Sequence, residues 1–379
     1  MTESIRTYQE KKRKILVLHP TIAPYRIDFF NSLSQAFNAE IWLQYKNLKS
    51  QTFAYDSILH ELSFTPLYLR KKNVKIGKHE IYTGIWKALR AFQPDMVIVP
   101  EFGVTTTSVI AFRLLFRKKF RIVSICDDCY DMLIHDNDFK RSHKIARKMI
   151  SPLLDDLILP DNRAVSYYQQ NYGKGIFFPI IYNDENLRKR YSQLLNRESA
   201  SEPNSAEGPK TFLFIGRLVK IKNIETIIQA FSSLAQKENR LIIVGDGPER
   251  ANLEKSSQGL NISFTGRLEG DELYQWYLKS HVFILASYRE AFGAVTNEAL
   301  LAGCWCLVSE NAGSSCLIQE GRNGETFQAF DIKGLSEAME RSPRIEHIEN
   351  RLRTNGMSYS YSALMQDLTT ALNNLMEEI

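Results

Sequence analysis

The chain has 379 residues, of which 44% are hydrophobic and 24% charged, values of a well-packed globular protein too long for one ordinary core. The net charge of +5 is uneven: residues 1–185 hold 27 Lys+Arg against 19 Asp+Glu, a balance of +8, whereas residues 186–379 hold 21 against 24, a balance of −3. No apolar run approaches bilayer-spanning length, since the longest candidate, residues 96–116, carries Glu101 and several threonines and ends at basic residues.

The opening MTESIRTYQEKKRK has no apolar h-region, so no signal peptide is expected and the protein is read as cytoplasmic. KILVLHP is then a short buried strand, followed by a helical pattern at residues 26–37 and a second strand, EIWLQY. PDMVIVPE, FRIVSICDD and DDLILPDN repeat one theme, a buried strand whose C-terminal end carries polar residues. Helical runs separate them, and this alternation predicts a parallel sheet covered on both faces. Five cysteines form no framework spacing and read as reduced thiols. Cys126 and Cys129 make C-x-x-C, but no second pair lies at zinc spacing, so both are expected in the core or a loop.

Two dense basic patches fall in this half: Arg70, Lys71, Lys72, Lys75 and Lys78, then Arg113, Arg117, Lys118, Lys119 and Arg121. Each reads as solvated surface or as an attraction for an anionic membrane face or acceptor. Phe112, Phe116 and Phe120 interleave with the second patch and favour the membrane. Nucleic acid is not expected as a partner, because no binding motif accompanies the charge.

The rhythm breaks at NRESASEPNSAEGPK, where Pro, Gly, Ser, Asn and Glu crowd without apolar periodicity. The expected organisation is therefore a first domain at 1–195, a linker at 196–209, a second domain at 210–360 and a terminal amphipathic helix at 361–379 that packs back toward the first domain. The second domain alternates again: TFLFIGR, a helix at 224–235, RLIIVGDG, a helix at 249–257, ISFTGRL, a helix at 271–279, VFILAS, a helix including residues 297–301, and CWCLVSE. The fold class expected is α/β, with two Rossmann-like doubly wound domains facing across a cleft. In such sheets ligands bind outside the carboxyl ends of the strands.

Four loops at those ends carry chemistry. In GRLVKIKN, Arg217 and Lys222 lie around a helix start, where free N–H groups and the macrodipole already attract phosphate. Two cations there would neutralise a diphosphate leaving group, although two surface bases are the plainer reading. GDGPER offers half a dinucleotide fingerprint at Gly245, with a tight turn as the default. In TGRLEGDEL the backbone at Arg267 and Leu268 would flank a flat base, and Asp271 reads as a helix cap. In REAFGAVTNEALLAGC, Glu290 ends a strand-to-helix loop and Phe292, Gly293, Ala294 and Val295 let a ligand approach backbone N–H groups. Glu298 follows in the first helical turns, where complementing the dipole would explain it by itself.

Together and in this order, the motifs resemble those of the retaining glycosyltransferases of family GT4, which have the GT-B fold. Glu290 to Glu298 matches the family's E-x7-E, GRLVKIKN its G-R-x4-K loop, VGDGPER its G-x-G-P turn, and residues 312–327 its later pattern ending in N-G. The resemblance implies a nucleotide-diphosphate sugar, UDP- or GDP-linked, held mainly by the second domain in the interdomain cleft. Gly216, Arg217 and Lys222 would face the diphosphate, Glu298 the ribose hydroxyls, and Glu290 the sugar hydroxyls. The N–H groups of residues 292–295 would fix sugar and phosphate. A carboxylate accepts two hydroxyl hydrogen bonds and paired cations suit a departing diphosphate, so the physical reading agrees.

The first domain matches less closely. HPTIAPYRIDFF stands where the family often has a glycine-rich loop, and its Y-R-I-D-F-F run resembles a polysaccharide-assembly subgroup. His19, Tyr25 and Arg26 are the acceptor-side candidates, with packing the alternative for Tyr25. Where many members place a histidine near the reacting sugar, this chain has Asp127 and Asp128, which are candidates for the reaction centre or helix caps. No metal and no cofactor are expected, because the basic pair does a cation's work. The implied reaction is front-face transfer with retention, in which the leaving phosphate helps accept the acceptor's proton. A lipid-linked saccharide at the inner face of the cell membrane is the acceptor suggested by the subgroup and the basic patches. A sugar-nucleotide epimerase of the same fold and a non-catalytic nucleotide-sugar-binding protein are the rival readings. A nicotinamide dehydrogenase is disfavoured, since no strand–G-x-G-x-x-G–helix unit occurs.

Overall fold

A computed structural model describes residues 12–47, 55–76, 79–134, 141–197, 209–344 and 352–377. Residues 198–208, the body of the expected linker, and Lys78 of the first basic patch lie outside the described residues. By contacts the chain groups into two units. The first comprises Met1–Cys126, Lys140–Ile158 and Met365–Ile379, and the second Asp127–Phe139 and Leu159–Leu364.

In chain order the first half contains β1 (Lys14–His19), α1 (Ile27–Ala36), β2 (Asn38–Leu43), α2 (Tyr55–Glu61), β3 (Leu67–Tyr68), β4 (Arg70–Ile76), β5 (His79–Thr83), α3 (Ile85–Phe92), β6 (Met96–Pro100), α4 (Val104–Leu115) and β7 (Arg121–Ile125). Then come α5 (Tyr130–Ile134), α6 (Arg141–Ile150), β8 (Asp156–Leu159), α7 (Asn162–Tyr172), β9 (Ile176–Phe177) and α8 (Asp184–Arg197). One sheet runs β3-β2-β1-β6-β7-β8-β9, and its pairings from β3 to β8 are parallel. Its central strands are near-continuous apolar runs because both faces are covered, so Leu16, Val17, Val97, Ile98, Ile122 and Val123 are all buried. The order reverses between β1 and β6, which register Ile15 on Met96 and Val17 on Ile98.

The basic segment at residue 70 forms a separate antiparallel hairpin, β4 with β5, rather than part of the parallel sheet. The second patch also differs from the expectation. Phe112 and Phe120 are core residues, 1% and 7% exposed, and both Phe112 and Phe116 pack edge-on or tilted around Trp86 and under Arg90. The helical phase of α4 turns Phe112 inward, so Phe112 and Phe120 serve the core, while Phe116 stays partly exposed beside the basic residues.

The second half contains β10 (Thr211–Ile215), α9 (Ile224–Ser232), β11 (Arg240–Val244), α10 (Arg250–Ser256), β12 (Ile262–Gly266), α11 (Gly270–Lys279) and β13 (Val282–Leu285). It continues with α12 (Val295–Leu301), β14 (Trp305–Ser309), β15 (Gly324–Phe327), α13 (Ile332–Arg341) and α14 (Tyr361–Glu377). The sheet order β12-β11-β10-β13-β14-β15 is parallel throughout and has the 3-2-1-4-5-6 pattern of a Rossmann sheet. Phe212, Phe214, Ile227, Ile243, Val282, Ile284 and Leu307 belong to the core on one face.

Residues 127–139 and 159–195, assigned to the first domain on composition, group with the second unit, whereas most of the terminal helix groups with the first, in the sense expected. Helix α8 groups with the second unit, where Arg188 donates to Leu301 O (2.7 Å) and the Tyr191 hydroxyl to Glu298 O (3.0 Å). Residues of α14 from Met365 onward group with the first unit, where Arg121 Nε donates to Leu375 O at 2.7 Å and Leu368 and Leu372 are fully buried.

Candidate active site

The order of the second sheet reverses between β10 and β13, and a crevice at the carboxyl ends of two such strands is where open α/β sheets bind ligands. The loop after β10 passes through Gly216 and Arg217 into a 3-10 turn, Lys220–Lys222, and then α9. The loop after β13 runs from Ala286 to α12. These two loops meet. Tyr288 N donates to Ile221 O at 3.1 Å, and the Lys222 ammonium is ion-paired with Glu290 Oε2, which also accepts from Ser287 Oγ at 3.3 Å. Both side chains are mostly enclosed, at 14% and 17% exposure. A pair so placed is strongly felt when one partner is lost, because the other charge is left partly desolvated. Arg217, by contrast, is exposed on the same loop.

The peptide chain around Glu290 is fixed by close backbone packing. Glu290 bridges to Ala312, Gly313 N donates to Glu290 O (3.2 Å), and Ser314 N donates to Phe292 O (2.8 Å). Gly293, at φ +93°, and Gly313 make this possible: a Cβ on Gly313 would sit 2.3 Å from Ala291 O. Cys129 Sγ contacts Glu290 O at 3.4 Å, which brings the C-x-x-C segment to the site as a buried free thiol. Burial pushes the Cys129 thiol up to about 12, so it is a packing group and not a nucleophile. Phe292 is buried, and Gly293, Ala294 and Val295 open α12, where the first N–H groups have no intrahelical acceptor.

The G-x-G-P turn serves the neighbouring loop. Leu218 N donates to Asp246 O (2.9 Å), Glu249 N to Leu218 O (3.0 Å) and Gly245 N to Gly266 O (2.8 Å). A Cβ on Gly245 would stand 1.9 Å from Gly216 O, so these glycines let the loops after β10, β11 and β12 touch through their backbones. Beyond them Arg267 is exposed and ion-paired with Glu269, and Leu268 is half-buried.

Glu298 stands in a different environment from Glu290. It is 6% exposed on α12 and accepts from the hydroxyl of Tyr277 at 2.5 Å and from that of Tyr182. Desolvation outweighs those two hydrogen bonds and raises its carboxyl to about 7. Complementing the helix dipole, the plainer sequence reading, leaves this clamp of tyrosines unmentioned. Asn297, beside it, accepts from Tyr182 N at 2.9 Å.

The two aspartates after β7 separate. Asp128 is 3% exposed and accepts from the Tyr168 hydroxyl at 2.6 Å, while Asp127 is half-buried. Asp161, which sequence reasoning passed over, caps α7 and accepts from Tyr130 N at 2.8 Å. In the first unit, His19 Nδ1 lies 2.6 Å from Thr21 O, Tyr25 is half-buried, and Arg26 is 4% exposed with its guanidinium over the Phe29 ring. Among the described residues no group of three or more His, Cys, Asp or Glu side chains could hold a metal ion.

Solved structures with this architecture cover nearly the whole chain. The lipopolysaccharide outer core galactosyltransferase WaaB in its apo form is similar to it with a TM-score of 0.70 and 17% identity, over 95% of this chain and 99% of that one. Anabaena Alr3699/HepE in complex with UDP-glucose is similar with a TM-score of 0.63 and 16% identity, over 96% and 98%. The fold is thus that of the GT-B glycosyltransferases. Residues 196–358 match the family model described as glycosyl transferases group 1. The sulfoquinovosyl transferase SQD2 of Arabidopsis thaliana is 34% identical over 151 residues, which are 39% of this chain and 28% of that protein. The matches span between 28% and 35% of the length of the first three curated relatives.

Proposed function

We propose that the protein is a retaining glycosyltransferase that moves a sugar from a nucleotide-diphosphate donor to a hydroxyl of a saccharide acceptor. The observation that carries the reading is the Lys222–Glu290 pair at the β10/β13 reversal, within the family-matched segment. Lys222 and Arg217 counter the charge of the diphosphate as it leaves, which is the largest kind of contribution a preorganised site makes. Glu290, released from Lys222 by the donor's phosphates, accepts from sugar hydroxyls. Glu298 takes the ribose hydroxyls, exchanging them for a tyrosine hydrogen bond. The N–H groups of residues 293–295 hold the phosphate, and Arg267 and Leu268 flank the base. UDP and GDP are the donor nucleotides to test first, as HepE is similar in fold and its structure holds UDP-glucose.

The leaving phosphate oxygen accepts the acceptor's proton as the new glycosidic bond forms on the same face, so the chain supplies positioning and charge and no covalent nucleophile. His19, Tyr25 and Arg26 are the acceptor-side candidates, and Asp127 the remaining candidate after β7. The acceptor we infer is a lipid-linked saccharide of cell-surface polysaccharide assembly, met at the cytoplasmic membrane face. The basic balance of residues 1–185 supports this, as does the likeness to a lipopolysaccharide core enzyme. Incubation with a panel of nucleotide sugars, with and without membrane lipid extract, tests the proposal. Acceptor-dependent release of nucleotide supports it. An altered sugar nucleotide without release, or binding without turnover, would replace it with an epimerase or a binding protein.

A further inference from the structure

Helices α4 and α6 of the first unit are tied to each other near both of their ends. Phe102, just before α4, packs edge-on against His143 near the start of α6. At the other end Arg113 of α4 donates to Leu153 O at 2.5 Å, in the turn that follows α6, and is ion-paired with Asp155. The faces that these helices turn outward are unusual for a protein surface. On α4 the outward positions are Val104, Thr107, Ala111, Leu114 and Leu115, without a charge among them, and Leu114 and Leu115 are 63% and 68% exposed. Along α6 and its following turn Ile145, Met149 and Leu153 recur every four residues, at 51%, 67% and 44% exposure. A folded surface rarely leaves such a contiguous set of large apolar side chains in water.

The exposed charges on and just after these two helices are cations, whereas Glu101 stands exposed ahead of α4 and Asp155, after Leu153, is ion-paired with Arg113. Arg117, Lys118, Lys119, Arg141 and Lys148 are exposed, and neither residues 104–119 nor residues 141–150 contain a carboxylate. Apolar side chains ringed by lysine and arginine match the layering of an anionic bilayer, with acyl chains below and phosphates at the level of the cations. An acidic protein partner would match the ring but leave the long apolar ridge with no need of a flat, deformable occupant. We propose that the α4/α6 face is a membrane-docking surface: Leu114, Leu115, Ile145, Met149 and Leu153 enter the headgroup boundary of an anionic bilayer, and the five cations bind its phosphates. This deepens the membrane-face reading above and rests on it. Of the aromatics that the sequence pointed to, Phe112 and Phe120 are buried and lie outside this face, and only Phe116, next to Leu115, is exposed.

The test is co-sedimentation of the full chain with vesicles. Those of phosphatidylcholine with about one-third phosphatidylglycerol are compared with phosphatidylcholine alone, at low and high salt. The expected result is binding to the anionic vesicles only, weakened by salt. The double variant Leu115→Asp/Met149→Asp and the separate variant Lys118→Glu/Lys148→Glu are each expected to lose at least about tenfold in partitioning. Donor hydrolysis in solution should stay at the wild-type rate in both, because these positions lie on exposed helix faces. Equal binding by the Asp double variant, equal binding to neutral vesicles, or no binding by wild type overturns the proposal. Loss of nucleotide release with intact vesicle binding would instead count against the transferase reading alone.

Discussion

Glu298 is the most informative residue to perturb. Its carboxyl, buried on α12 between Tyr277 and Tyr182, is raised from 4.5 to about 7. Between those values the folded chain keeps a proton that the unfolded chain releases. Stability from this group is therefore fully present below pH 4.5, falls as pH rises to 7 and is constant above it. The total is about 3 kcal/mol, at roughly 1.4 kcal/mol per pKa unit, and about 2.5 kcal/mol of it falls between pH 5 and pH 8. Glu298→Gln keeps the shape and one acceptor while removing the titration. Urea unfolding of both proteins at pH 5 and pH 8, followed by tryptophan fluorescence, gives the difference between them at each pH. That difference should move by about 2 to 3 kcal/mol in favour of the variant on going to pH 8. Comparing the two proteins at one pH cancels every other titrating group. A difference that stays constant, or moves the other way, would refute the reasoning that desolvation rather than hydrogen bonding governs this carboxylate. The same variant is expected to weaken donor binding, as it replaces one of the two carboxylate oxygens proposed to accept from the ribose with an amide donor.

His281 should show the opposite slope. It accepts from Thr211 N at 3.0 Å, and burial lowers it from 6.5 to about 4, so stability is lost as pH falls through that range and His281→Gln should flatten the acid limb of the same urea series. Glu290→Ala and Lys222→Ala are each expected to reduce nucleotide release about a hundred- to a thousandfold with an unchanged circular dichroism spectrum, and near-normal turnover in either would remove the pair from the mechanism. Gly245→Ala drives a Cβ to 1.9 Å from Gly216 O at φ +140° and should cost about 3 kcal/mol or more, whereas Gly259→Ala, with nothing within 4 Å, should cost only about 1 kcal/mol; equal thermal shifts would contradict the account of the loop contacts.

Much of the second unit was legible because its signals are local. Strands such as TFLFI and RLIIV are buried on both faces and read as apolar runs, and the glycines of GDG and AFG mark loops that must approach other backbone. The pairing of Lys222 with Glu290 follows from sheet order, which motif spacing implies only through the family resemblance. What stayed hidden depends on contacts between distant segments. Tyr182 and Tyr277 give Glu298 its environment from positions 116 and 21 residues before it, with no periodic mark in the sequence. Asp128 reads like a polar strand end, and only the Tyr168 hydroxyl shows it to be a buried acceptor. The hairpin of β4 and β5 escaped notice because its lysines break the apolar alternation by which a strand is recognised. Helix α8, poor in apolar residues, gave no hint that Tyr191 would anchor it beneath α12.

The glycine seats at the ends of β10, β11 and β12 have a consequence for how such a protein diversifies. Three successive loops lean on one another main chain to main chain, through Gly216, Gly245, Gly247 and Gly266. Lengthening any of them would prise the others apart, so this rim behaves as a fixed frame. Novelty along it is then confined to exchanging the side chains it displays, such as the exposed Arg217, Lys220 and Arg267, a matter of repainting the frame rather than rebuilding it.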